Sequence, residues 1–308
     1  MIALTFAGCT TSAEPSALPE GDLLLLEELG PPIVSRLDVQ SSTTEAWYSV
    51  TSGGFAYALD TDDDGATLSY TAPAAEGKDG YDRSRIVHVG ADGTLTDVAC
   101  RDAAGVWCFY PANNGARTWF VIAGEDVASG AEHALAYVDA AGGEIREVVP
   151  WGTEPAVSTD GSRLAWVAID PDTRRRSLIL GDSNAAAERT LLASGDVTDI
   201  SAVFFSSDDA WLYFVVPTPA VSALGWLVPT AQAHGNHDVP GDWWRVSAAG
   251  GDPEQVTWLD TVLYDGRAHA DGGWFAAATR EGVVLIDATG EATTVLETRT
   301  VRGLAWVR

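Results

Sequence analysis

The 308-residue sequence predicts an all-β protein, a six-bladed β-propeller of four-stranded antiparallel blades whose last blade is closed by strands from both ends of the chain. Three observations lead there. A β-prone run, a tight polar turn and a second β-prone run recur five times, with turn residues at 64, 114, 160, 208 and 271. Each copy is followed by another hairpin of alternating apolar and polar residues. No long helical periodicity interrupts the series. Gly, Asp and Asn turns between alternating runs are the strongest local hairpin signal. Four-stranded units at this spacing are the signature of propeller blades.

The copies run over 59–70, 109–120, 155–166, 203–214 and 267–277. The following hairpins turn at Asp92-Gly93, at Gly142-Gly143, between Leu180 and Arg189, at Gly250-Gly251 and at Gly290. Six places after each turn residue stand Tyr70, Phe120, Trp166, Phe214 and Ala277, a column expected to pack between blades. Trp119, Trp166, Trp211 and Trp274 are expected in the core for the same reason. Residues 300–308 read as an innermost strand with no blade of its own, and 22–29, 32–39 and 46–51 as three strands lacking one. Joined, they complete a sixth blade and leave no open sheet edge. The domain reading is a tail over 1–21 and one propeller over 22–308.

Hydrophobic residues make up 46% of the chain, enough for a large core. The net charge of −26 argues against nucleic acid, whose phosphates need Lys and Arg patches, and against adsorption to anionic lipid. No run approaches the roughly 20 apolar residues of a membrane span, so membrane attachment is expected only through a lipid anchor.

That anchor is suggested by Phe6-Ala7-Gly8-Cys9 followed by a Thr/Ser/Ala/Glu/Pro-rich stretch. The segment resembles the lipobox of bacterial lipoproteins, whose cysteine receives the lipid and is followed by a polar tether. Phe6 stands where that family usually has Leu, and eight residues precede Cys9 without Lys or Arg, so the true start is expected upstream. The resemblance implies lipidation of Cys9 and export to the periplasm or outer surface. In that compartment Cys100 and Cys108, on two strands flanking a turn, are expected to form a disulfide.

The stretch Glu154-Pro155-Ala156-Val157-Ser158-Thr159-Asp160-Gly161-Ser162-Arg163-Leu164-Ala165-Trp166 resembles the P-x-W-S-P-D-G-x-x-I/L-A-F repeat of TolB-type propellers. Ala248-Ala249-Gly250-Gly251-Asp252-Pro253-Glu254-Gln255-Val256-Thr257 resembles the D-x-x-G-G-x-P-x-x-L-T segment of the same family. Val157 and Thr159 replace the usual Trp and Pro. The resemblance covers about 22–308 and implies the propeller fold. It is weak for function, because the repeat serves translocation proteins, peptidase propellers and lipoproteins alike.

Asp60-x-Asp62-x-Asp64-Gly65 fits the opening of a calcium loop, but Leu68 and Thr71 fall where ligands should complete the shell. An acidic hairpin is the default, and no cofactor is expected, with Ca²⁺ the weak alternative. The fourth interval between turns is 63 residues against 46 to 50 elsewhere, placing an insertion at 217–242. It holds Trp226, His234, His237 and Asp238, and Asp242, Trp243 and Trp244 follow. A metal site there lacks a defined third ligand. A partner-contact loop anchored by Trp226, Trp243 and Trp244 fits better, and a plain ordered insertion is the default. Asp265, Arg267 and His269 lie on or beside an inner strand, with Glu154 near the same level, and are candidates either to bind a ligand at the channel mouth or to form a buried salt-bridge cluster. No nucleophile elbow, His-Glu-x-x-His helix or phosphate loop is present.

The reading is therefore a non-catalytic, monomeric TolB-like propeller that binds a protein or peptide in the cell envelope. The alternatives are a glycan hydrolase or lyase, using carboxylates such as Glu154 and Asp265 at the channel mouth, and a cation-dependent or sugar-binding module.

Overall fold

The computed structural model describes residues 17–27, 33–49, 56–62, 65–73, 81–100, 105–124, 127–140, 142–193, 195, 199–218 and 239–307. Their regular elements are all strands. β1 (Asp22–Glu27), β2 (Ile33–Asp38) and β3 (Thr43–Ser49) open the series. Blade 1 follows as β4 (Ala56–Asp62), β5 (Gly65–Pro73), β6 (Tyr81–Gly90) and β7 (Leu95–Ala99). Blade 2 is β8 (Val106–Asn113), β9 (Arg117–Gly124), β10 (His133–Asp139) and β11 (Arg146–Pro150). Blade 3 is β12 (Gly152–Val157), β13 (Arg163–Ile169), β14 (Arg176–Asp182) and β15 (Arg189–Leu192). Blade 4 is β16 (Ser201–Phe205), β17 (Trp211–Pro217), β18 (Pro240–Ser247) and β19 (Glu254–Gln255). Blade 5 is β20 (Thr261–Ala268), β21 (Trp274–Thr279), β22 (Gly282–Asp287) and β23 (Ala292–Glu297). A bridge of two residue pairs, Pro240 with Val262 and Gly241 with Thr261, links β18 to β20.

The last strand, β24 (Val301–Trp306), pairs antiparallel with β1, Leu23 facing Trp306 and Leu25 facing Leu304. Strands from both ends of the chain thus share one blade, blade 6. The first strands of the blades touch in a closed cycle, β4 to β8, β12, β16, β20, β24 and back to β4.

The core is divided among the junctions between blades. Trp119, Val121, Leu164 and Trp166 meet between blades 2 and 3. Ala165, Val167, Phe205 and Phe214 meet between blades 3 and 4. Val215, Trp243 and Phe275 meet between 4 and 5, and Leu23, Leu25, Ala276 and Ala278 between 5 and 6. Leu24, Leu26, Ala66 and Leu68 meet between 6 and 1, and Ile86, Cys108, Phe120 and Ile122 between 1 and 2. Apolar side chains on both faces of each second strand except β5 make this possible, because period-2 alternation serves two neighbours at once. Phe120, Trp166, Phe214 and Ala277 of the expected column are all buried; the side chain of Tyr70 lies outside those described. Trp119 and Trp166 are buried, as core residues should be. Trp211 and Trp274 are not. Both begin their strands beside the turn, where burial is partial, and the Arg245 guanidinium covers the Trp211 ring at 4.4 Å.

The recurring turn residue has one physical job. Oδ1 of Asn114, Asp160, Asp208 and Asp271 accepts the backbone N–H two residues on, at 3.1, 2.9, 3.0 and 2.9 Å. This local bond fixes the reversal between first and second strands. Hydroxyls of Ser158 and Ser162 add to the Asp160 turn and hold its carboxyl down at about 2.

Cys100, just past β7, is disulfide-bonded to Cys108 in β8, with Cα atoms 6.6 Å apart. The bond staples blade 1 to blade 2. Reduction is expected to lower stability by roughly 2–3 kcal/mol, from the loop-closure entropy of so short a loop. Urea unfolding with and without reductant measures it, using a Cys100→Ala/Cys108→Ala double variant as the reference.

Candidate functional site

Each inner strand departs from regular pairing at the same level. The register with the second strand shifts between Ala56 and Ala58, Phe109 and Ala112, Thr153 and Ala156, Ser201 and Phe204, and Leu263 and Asp265. In β24 the shift passes over Arg302, opposite the Leu26–Glu27 step. A bulge re-aims the extra residue out of the ladder. Tyr110, Glu154, Ala202, Tyr264 and Arg302, drawn from five inner strands, line one cavity of about 50 Å³. Tyr110, Glu154 and Ala202 sit at φ of 52°, 51° and 52°. Non-glycine residues there cost roughly 1–2 kcal/mol each, so surrounding contacts must hold them.

Those contacts are carboxylates bonded to the next blade's backbone. The Ala202 N–H donates to Glu154 Oε2 at 2.5 Å, joining β12 to β16. The Leu304 N–H donates to Asp265 Oδ2 at 3.2 Å, joining β20 to β24. The Asn113 N–H donates to Asp60 Oδ2 at 2.7 Å, joining β4 to β8. Two guanidiniums balance the buried charge. Arg176 lies 3.3 Å from Glu154 Oε1 and 3.1 Å from Asp199, and donates to the Ile200 carbonyl at 2.9 Å. Arg267 contacts Asp265 at 2.5 Å and donates to the Leu59 carbonyl of β4 at 3.0 Å. Arg302 lies 4.0 Å over the Tyr264 ring.

Burial pushes the Glu154 carboxyl up to about 7, with Arg176 and the Ala202 N–H pulling the other way. Burial also raises Asp265, opposed chiefly by Arg267.

The structure thus brings Glu154, Asp265 and Arg267 together at the channel but not His269. That ring sits beyond β20, 2.8 Å from Asp271, with Nε2 2.9 Å from the Glu20 carbonyl and its face 4.5 Å from Trp306. One residue past the strand's end, it belongs to the turn and pins the N-terminal approach to blade 6. Trp243 is no partner anchor. It is wholly buried, its ring lying over Gly266, where a Cβ would come within 2.6 Å of the indole. Trp244 is half-buried against the blade 3–4 core. Asp60 is engaged with Asn113, and Asp62 lies 3.8 Å from His88. Among the described residues no group of three or more His, Cys, Asp or Glu side chains gathers to hold a metal ion. Cys9, Asp64, Trp226, His234, His237 and Asp238 lie outside the described residues.

Among the described residues the one highly exposed large aromatic is not a residue that the sequence singles out. Trp258, between β19 and β20, is 74% exposed. Its neighbours are fixed on both sides. The Val256 N–H donates to the Trp243 carbonyl at 2.8 Å, and buried Thr257 accepts the Trp243 N–H at 2.9 Å. On the other side the Leu259 N–H donates to Asp242 Oδ1 at 2.7 Å. Asp242, which lies close to His234, His237 and Asp238 in sequence, organises this segment, and burial raises its carboxyl. A large side chain is thereby displayed on a rigid support. Nothing local in Thr257-Trp258-Leu259 signals this, because the anchoring contacts span 13 to 17 residues.

No protein-family model and no curated protein matches the chain in sequence. Solved structures match it in fold. A putative TolB from Agrobacterium tumefaciens aligns over 92% of this chain and 91% of its own, with a TM-score of 0.61 and 15% identity. TolB from Acinetobacter baumannii aligns over 93% of this chain and 66% of its own, at 0.66 and 14%. Hydrazine synthase of Kuenenia stuttgartiensis aligns over 91% and 80%, at 0.51 and 15%. The chain has a TolB-like β-propeller fold; at these identities the likeness speaks for the fold alone.

The Glu154 latch carries a pH signature. From about 4.5 to about 7 the folded chain keeps a proton that the unfolded chain releases. Stability from this group is therefore greatest below that window and falls as pH rises through it, on the order of 3 kcal/mol in all. Glu154→Gln keeps an acceptor for the Ala202 N–H and is expected to flatten this part of the profile. Glu154→Ala leaves that N–H without its acceptor and is expected to lose roughly 3 kcal/mol at the acid end of the window, a loss that narrows as pH rises. Urea unfolding across the window reads both.

Proposed function

We propose that this chain is a non-catalytic propeller that binds a protein or peptide partner in the cell envelope, with Trp258 as the anchor. The rigidly supported, 74% exposed indole carries the reading, since aromatic side chains displayed on a fixed support are the usual centres of binding energy. The TolB-like fold and the lipobox-like segment at Cys9 support an exported, lipid-anchored, monomeric protein working at the periplasmic or outer surface.

A glycan-cleaving enzyme is the second reading. One observation favours it: Glu154 is raised to about 7 and shares its cavity with Asp265, an arrangement that acid/base pairs use. Two facts weigh against it. The cavity, at about 50 Å³, is water-sized and not ring-sized. Both carboxylates are also already bonded to backbone N–H groups and guanidiniums.

Affinity capture on the purified chain from native envelope fractions is expected to return one stoichiometric partner. Trp258→Ala should weaken that complex about 30-fold or more while shifting stability by less than about 0.5 kcal/mol. Capture indifferent to Trp258 overturns the anchor, and turnover of a glycan lost in Glu154→Gln overturns the non-catalytic reading. Intact mass of the membrane-extracted protein tests lipidation, with an unmodified Cys9 counting against it.

A further inference from the structure

The junction between blades 1 and 2 breaks the pattern of the other five. Elsewhere the second strand turns apolar side chains toward the next blade: Trp119 and Val121, Ala165 and Val167, Ala276 and Ala278, Leu24 and Leu26, and Val215 beside Tyr213. β5 turns Thr67 and Ser69 instead. Both are buried. The Ser69 hydroxyl donates to the Cys108 carbonyl at 2.5 Å, and Asn113 Nδ2 of β8 donates to Thr67 Oγ1 at 2.9 Å. Hydroxyls at such positions sacrifice apolar burial, worth about 25 cal/mol per Å², and form a tight contact only near the axis.

Farther out the two blades part around a cavity of about 450 Å³, a size suited to a small ligand. One wall is a cross-strand row, Thr67 opposite His88 and His88 opposite Thr96. The other carries Asn113, Arg117 and Asp139. The Cys100–Cys108 bond joins the same two blades, beside the Ile86, Phe120 and Ile122 cluster between them.

The lining selects the ligand. Two of its carboxylates already face guanidiniums, Asp139 with Arg117 at 3.3 Å and Asp97 with Arg85 at 2.7 Å, and Asp62 lies 3.8 Å from the His88 ring. A strongly charged ligand would break these pairs. Apolar side chains are confined to Val98 and Ala140 among the lining residues, so a hydrophobic ligand has no wall. What remains is a close alternation of donors and acceptors, of the kind that ring hydroxyls match, because each hydroxyl both donates and accepts. We propose that this inter-blade cleft binds a neutral, polyhydroxylated ligand, a mono- or disaccharide, at a site separate from the channel mouth and from Trp258.

Calorimetric titration of the oxidised full chain with glucose, galactose, mannose, N-acetylglucosamine, maltose, cellobiose and trehalose tests it, with spermidine as the cationic comparison. Saturable binding of at least one sugar is expected. Thr96→Trp, at an exposed edge-strand position, fills the cleft without disturbing the core and should weaken that binding about tenfold or more; Asp139→Asn should act in the same direction. Glu154→Gln and Trp258→Ala should leave it within about twofold. Saturable binding by none of the sugars overturns the proposal. So does sugar binding indifferent to Thr96→Trp, or spermidine binding in the cleft in preference to every sugar.

Discussion

Everything in this molecule depends on the pairing of β24 with β1. Blade wedges packed in a ring hold one another only while the ring is complete, and here completion is a single antiparallel ladder between the two ends of the chain. The ladder is extended by the Val307 N–H bonded to the Asp22 carbonyl at 2.9 Å, and is tied to blade 1 where the Thr61 hydroxyl donates to the Trp306 carbonyl at 2.7 Å. Without β24, β1 would become an open edge, and the clusters on either side of blade 6, which take Leu304 on one side and Ala305 on the other, would lose a wall.

Around the channel a second constraint operates. Bulges turn backbone groups away from their own ladder, and buried N–H groups must find acceptors. Glu154, Asp265 and Asp60 supply them across three alternate junctions. A carboxylate accepts strongly but is expensive to bury, which is why Arg176 and Arg267 lie beside two of them. The residues that resemble a catalytic pair in composition are thus bonded into the frame.

The blades were legible because their determinants are local. The turn Asp or Asn bonds two residues away, and the strand alternation is written directly in sequence. Closure by both termini was legible from an unpaired inner strand at one end and three strands lacking one at the other. What was hidden depends on contacts distant in sequence. Trp243 and Trp258 look alike in sequence, yet one is buried because Gly266 leaves room for its ring and the other is displayed because Asp242 fixes the backbone beside it. The rim residues Tyr110, Tyr264 and Arg302 are chosen by bulges, which exist only in the pairing of two strands. His269 falls out of the channel by a single position past the end of β20. A Cys100–Cys108 pair is expected from the exported setting that the lipobox resemblance implies and from the strands flanking their turn, but that it bridges two blades follows only from the assignment of β7 and β8 to different sheets.

The closing blade also makes the two ends mechanically unequal. β1 lies inside its sheet, bonded to β24 on one side and β2 on the other, so a pull on the chain ahead of Asp22 along the strand is resisted by two ladders in shear. β24 is bonded on one side and faces the channel on the other, so a pull on the C-terminal end can peel its bonds one after another. Load applied through the N-terminal tail would therefore meet the stronger end, and would be spread over the sheet before it reached the seam.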